Sequence, residues 1–181
     1  MNKHEIRRTE TIQRLISAFW SFYCDHDISK ITVKQITDAA GVYRSTFYLY
    51  FTDVYQMLEY LEQSILSYWE NNVISLLTNC SIEELIQAIS LFYLEKGAYV
   101  SILIGPNGDP EFVQKIKNMI TPYLHNLNEF KTTDPMSEIK INFLISGTLS
   151  ALACWYQLEQ GVPAEDVAKY IQSMVTLSTD R

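Results

Sequence analysis

Apolar positions recur at three- and four-residue spacing between residues 5 and 25. Ile12, Leu15, Ile16, Phe19, Phe22 and Tyr23 form one stripe, and Arg7, Arg8 and Arg14 lie largely off it. That period predicts an amphipathic helix with one face on a core. The stretch DHDISK breaks the pattern. Thr32 then opens a second helix, with Gln35 three residues on in the spacing of a capping box. Val33, Ile36, Ala39 and Ala40 are its expected buried face, and Gly41 its stop in the left-handed conformation. A helix of about two turns is not stable alone, so it must pack on neighbours.

The next stretch, RSTFYLYF (residues 44–51), is ambiguous by propensity. Thr, Phe and Tyr favour a pleated backbone. As a helix, Phe47 and Phe51 share one face; as a strand, Ser45, Phe47, Leu49 and Phe51 do. The flanks decide. A helix ending at Gly41, a three-residue turn and a new helix start make a helix-turn-helix. Asp53 with Gln56 caps the following long helix, expected over residues 54 to about 77, so no room remains for a strand to find a partner.

That long helix carries Met57, Leu58, Leu61, Ile65, Leu66, Trp69, Val73, Ile74 and Leu77. Further helices are predicted at about 82–96, 97–104, 110–130, 136–160 and 164–178. The breaks between them are NCS, GPNGDP, KTTDP and QGVPAED. Asp109-Pro110 places a capping side chain before a proline at the first helical position.

Composition supports a helical globular chain. Of 181 residues, 48% are apolar and 19% charged, with only 6 Gly and 5 Pro to break helices. The net charge of −7 argues against a polyanion partner for the whole chain. Its distribution changes that: residues 1–55 carry net +1 and residues 56–181 carry net −8. Only the N-terminal third could face nucleic acid. Cys24, Cys80 and Cys154 are far apart and form no CxxC, which suits a reduced, cytoplasmic compartment. The first residues do not read as a signal peptide, and the most apolar run, residues 141–156, is short for a membrane span.

Residues 31–58, ITVKQITDAAGVYRSTFYLYFTDVYQML, resemble the DNA-binding motif of the tetracycline-repressor (TetR) family of bacterial transcriptional regulators. The segment LIGPNGDPEF, followed by a helix ending near GTLSALACWY, resembles the C-terminal domain of one branch of that family more weakly. The resemblance implies an all-α fold. An N-terminal three-helix helix-turn-helix DNA-binding domain (residues 1–53) is joined by a long helix to a C-terminal helical ligand-binding and dimerisation domain (residues 54–181). It also implies a homodimer on a palindromic double-stranded operator, no cofactor, and a small-molecule effector. Carried position by position, it nominates Lys34, Arg44, Ser45, Thr46, Tyr48, Leu49 and Tyr50 as DNA-facing, with Thr32 a cap near the phosphates. The chemistry agrees: Arg can pair with guanine N7 and O6, while hydroxyls and ammonium groups suit phosphate oxygens. Two positions depart from the family pattern. Val54 stands where a phosphate-gripping Lys is common, and Tyr43 where Ser is usual. Fewer cations imply a shallower salt dependence, offset by Lys3, His4, Arg7 and Arg8.

In the C-terminal part, Tyr68, Trp69, Phe92, Tyr93, Tyr99, Phe112, Tyr123 and Trp155 are candidates for an apolar or aromatic effector pocket, with plain core packing the competing reading. The small residues of SGTLSALAC nominate Gly147, Ser150, Ala151 and Cys154 for a helix-helix dimer interface, with Tyr170 and Met174 on the last helix. His4, His26 and His125 lack metal-ligand spacing. No GxSxG, HExxH or P-loop ending occurs. The expected function is a DNA-binding regulator, more readily a repressor, and not an enzyme. The alternatives are a regulator controlled by a protein partner and a small helical enzyme that retains the motif.

Overall fold

The computed structural model describes residues 3–72, 82–105, 108–125, 135–158 and 161–179. In chain order the helices are α1 (Lys3–Tyr23), α2 (Val33–Ala40), α3 (Arg44–Phe47), α4 (Val54–Asn72), α5 (Ile82–Leu103), α6 (Pro110–Leu124), α7 (Pro135–Gln157) and α8 (Ala164–Thr179), with a short 3-10 turn at Ile28–Lys30. No strand occurs among the described residues, so the fold is all-α. The chain divides into two compact units, Met1–Ile65 and Leu66–Arg181.

In the first unit, α1 packs on α2 and α2 on α3. Leu15, Ala18, Phe19 and Tyr23 supply the buried face of α1. Thr32 caps α2 as the sequence predicts: Gln35 N–H donates to Thr32 Oγ1 at 3.3 Å, and Thr32 N–H donates back to Gln35 Oε1 at 2.9 Å. Gly41 ends α2 with φ +61°, where a Cβ is strained. The buried face of α2 is Ile36, Thr37 and Ala40, and Val33 is only half-buried. Ala39 is exposed and Thr37 is buried instead. The Thr37 hydroxyl enters the core because it donates to the carbonyls of Val33 (2.9 Å) and Lys34 (3.1 Å) of its own helix.

The second unit is built on α7. Ile141, Ile145, Thr148, Leu149, Leu152 and Trp155 form its buried stripe, and α5, α6 and α8 pack against this helix. Fully burying a side chain such as Phe112 or Ile116 contributes about 1.5–3 kcal/mol. Two helices were expected between residues 82 and 104, but α5 is continuous. Gly97 sits buried inside it. A helical glycine costs only about 1 kcal/mol relative to Ala, which burial of Phe92, Val100 and Leu103 on the same helix outweighs. The cap of α6 is the predicted one, with Asp109 accepting from Glu111 N–H at 2.8 Å and Pro110 opening the helix. A Cβ on Gly108 would overlap the carbonyl of Leu103, so glycine is required at that turn. Among the described residues no helix is long and apolar enough to cross a membrane. The candidate core positions Val73, Ile74 and Leu77 lie outside the described residues.

Candidate nucleic-acid interface

The candidate interface is built outward from two phenylalanines. Phe47 is wholly buried and Phe51 nearly so, with ring centroids 5.8 Å apart. They hold residues 44–51 against the rest of the first unit. The α-helical part is shorter than a recognition helix needs to be by pattern alone: α3 spans only Arg44–Phe47. The backbone nevertheless keeps winding. Tyr48 N–H donates to Arg44 O (3.1 Å), Leu49 to Thr46 O (3.3 Å), Tyr50 to Phe47 O (2.9 Å) and Phe51 to Phe47 O (3.0 Å). The stretch tightens towards i→i+3 bonding, which suits β-branched and aromatic residues poorly placed in a long α-helix. Phe51 therefore lies beneath the turn without belonging to α3.

With Phe47 and Phe51 turned inward, the other side chains face out. Arg44 and Ser45 are exposed and Thr46 and Tyr50 half-buried. Tyr48 is 59% exposed and Leu49 76%. The Tyr48 ring meets Phe47 edge-on at 5.3 Å, which fixes the ring while leaving most of it accessible. Lys34 and Thr32, near the start of α2, are also exposed. All eight residues nominated from the sequence thus lie at the surface or partly exposed, within residues 32–50 of the first unit.

Two further features were not foreseen. Tyr43 occupies the N-cap of α3 without making a side-chain cap, and its ring is 83% exposed. Arg14, assigned by periodicity to the solvent side of α1, donates from Nη2 to the carbonyls of Ala40 (2.5 Å) and Gly41 (3.2 Å). This guanidinium sits on the C-terminal carbonyls of α2, where a cation is favoured. A partner 26 residues away leaves no local signature in sequence.

In the second unit the aromatic candidates are mostly core. Trp69, Phe92, Phe112 and Trp155 are buried, while Tyr99 and Tyr123 are half-buried. The side chain of Tyr93 lies outside the described residues. The Trp69 and Phe92 rings pack with centroids 4.6 Å apart, tilted by 44°. Trp155 Nε1 donates to Val162 O at 2.7 Å. Trp69 Nε1, by contrast, is buried with no acceptor among the described residues. The Tyr68 hydroxyl donates to Glu95, whose carboxylate holds the phenol above its ordinary pKa, and the Lys96 ammonium lies 4.6 Å from the Tyr68 ring centre.

The dimer candidates divide between two clefts. Gly147, Ala151, Tyr170 and Met174 line one of about 230 Å³ between α7 and α8. Ser150 and Cys154 line another, of about 550 Å³, on the α6 side of α7. A third cleft, of about 610 Å³, runs between α6 and α7 past Lys117 and Asn142, whose side chains are hydrogen-bonded at 3.0 Å. Sequence reasoning missed the apolar members of the outward stripe of α7. Met136, Ile139 and Phe143, with Leu158 just past the helix end, are all exposed, and their three- to four-residue spacing with Gly147, Ser150 and Cys154 could have revealed it. Cys24 and Cys154 are free and exposed, and Cys80 lies outside the described residues. Among the described residues, no group of three His, Cys, Asp or Glu side chains could hold a metal ion.

No protein-family model and no curated protein matches the chain. Solved structures do. A TetR transcriptional regulator from Streptococcus agalactiae matches with a TM-score of 0.67 and 23% identity, over 95% of this chain and 97% of its own. The fatty acid degradation regulator FadR from Bacillus halodurans matches at 0.68 and 16% identity, over 91% and 94%. A TetR-family regulator from Streptomyces coelicolor matches at 0.66 and 17% identity, over 99% and 83%. All three neighbours are regulators. From the helix-turn-helix to the terminal helix pair, the chain has the fold of the TetR-family transcriptional regulators.

Proposed function

We propose that this chain is a bacterial, cytoplasmic, DNA-binding transcriptional regulator. It binds a near-palindromic operator as a homodimer and represses until a small apolar or aromatic effector releases it. The observation that carries the reading is the α3 segment: Phe47 and Phe51 are buried, and Arg44, Ser45, Tyr48 and Leu49 are held out on the opposite side. In this reading residues 1–53 contact DNA. Arg44 reads a base edge. Lys34, Ser45, Thr46, Tyr48 and Tyr50 touch phosphate or base edges, and Thr32 holds the start of α2 beside the phosphates.

Residues 54–181 dimerise and sense. The exposed apolar stripe of α7, with Tyr170 and Met174 of α8, supports dimerisation through these helices. An exposed contiguous apolar face is costly for a monomer in water. The indole N–H of Trp69, buried without an acceptor among the described residues, supports an effector that brings one, because an unpaired buried donor costs about 1–3 kcal/mol.

The test is an electrophoretic shift with duplexes from the DNA flanking the protein's own gene. A specific shift, resisted by scrambled competitor, is expected. Binding that scrambled DNA abolishes equally well means that the exposed α3 face reads no sequence.

A further inference from the structure

We infer that Leu49 reads a thymine methyl group in the major groove, so that each operator half-site carries a T at a position no hydrogen bond specifies. The inference rests on the DNA-binding reading above. An exposed leucine means little by itself; its place is what matters. In the winding of residues 44–51, Phe47 and Phe51 share the buried side. Ser45 and Leu49, also four apart, share the opposite side, and Leu49 is the more exposed of the apolar residues in that turn. The middle of the outward ridge is therefore a branched hydrocarbon, with Arg44 and Tyr48 beside it.

The major groove offers such a side chain one favourable partner. Its edges present donors and acceptors at every base pair, and its single apolar group is the C5 methyl of thymine. Leucine set against the edge of G, C or A would strip water from polar groups and return no hydrogen bond. Set against the methyl, it buries apolar surface on apolar surface. Charge favours a duplex over an apolar protein partner here. The ridge lies beside Arg44 in the part of the chain with net charge +1, whereas residues 56–181 carry −8.

The experiment begins with selection of an operator from random duplexes by the intact wild-type protein. Each T of the selected half-site is then replaced singly, in both halves, by deoxyuridine, which removes only the methyl. One position is expected to lose about fourfold in affinity per methyl removed. Leu49→Ala should lose that sensitivity at that position and no other, while Leu49→Met, which keeps the apolar reach, should retain it. If selection enriches no sequence, the DNA-binding reading fails and this inference with it. If an operator is found but uracil is neutral everywhere, or Leu49→Ala still prefers T over U, the reading stands and the role of Leu49 is overturned.

Discussion

Arg14 and Ala40 are joined by a hydrogen bond of 2.5 Å from the guanidinium to the helix-terminal carbonyl, and the same Nη2 reaches Gly41 O at 3.2 Å. The bond ties α1 to the end of α2, four residues before α3 begins. A charge-assisted bond of this kind, partly exposed, is worth about 1–2 kcal/mol. Arg14→Met keeps the aliphatic stem and removes the donor. It is expected to lower unfolding stability by that amount in urea titrations and to weaken operator binding without changing which bases are preferred. Unchanged stability would mean that solvent replaces the guanidinium at no cost.

Phe47 anchors the candidate reading segment. The ring is wholly buried, so Phe47→Ala is expected to cost about 3–5 kcal/mol. Amide hydrogen exchange should show residues 1–65 losing protection before the second unit does. Phe47→Leu should cost less, since it leaves a smaller cavity. A Phe47→Ala protein that melts with the wild type would show that the segment is held by something else.

How far the sequence revealed this arrangement depends on the range of each interaction. The Thr32–Gln35 box, the left-handed Gly41, the Asp109–Pro110 start and the cap of α4 were all legible. In that last cap Gln56 N–H donates to Asp53 Oδ1 at 2.9 Å. Each is complete within four residues, so the residues that make it are neighbours in sequence. Arg14 was not legible, because its partners are 26 and 27 positions away. Thr37 was misjudged because a hydroxyl counts as polar in a pattern, although its own helix can satisfy it. The continuity of α5 through Gly97 was missed because local propensity is weaker than the burial on either side. Among the candidate site residues, exposure along α3 followed from where the two phenylalanines had to go. The aromatics of the second unit could not be sorted into core and pocket, since both uses select the same side chains.

Gly147 separates dimerisation from folding. A Cβ built there meets nothing within 4 Å among the described residues, and Gly147 is exposed on the α7–α8 cleft, so circular dichroism is used first to check that Gly147→Trp keeps the helical fold. If α7 and α8 pair with their mates, a tryptophan at that point overpacks the interface, typically at a cost of 1–3 kcal/mol. Sedimentation at micromolar concentration should then show a shift from dimer towards monomer. A variant that remains as dimeric as the wild type places the interface elsewhere, and a monomeric wild type removes the two-fold arrangement altogether.

Arg44 and Lys34 should differ in kind, not only in degree. Two recognition segments of a dimer enter successive major grooves roughly 34–36 Å apart, which is why the operator should be a near-palindrome. Arg44 opens α3 and is exposed, so its guanidinium can reach a base edge. Arg44→Ala is expected to cost about 1–3 kcal/mol per half-site and to relax the preference at one base pair. Lys34 lies in the first turn of α2, also exposed, in reach of a phosphate in this reading. Lys34→Ala should weaken operator and scrambled duplexes alike and reduce the salt slope by about one per subunit, because one fewer counterion is released. Tyr48→Phe removes a neutral donor, so affinity should fall with little change in slope. Fluorescence anisotropy on both duplexes across a salt series measures all three. Should Arg44→Ala keep full operator preference while lowering the salt slope, Arg44 is a phosphate contact, and base reading passes to Ser45, Thr46 and Leu49.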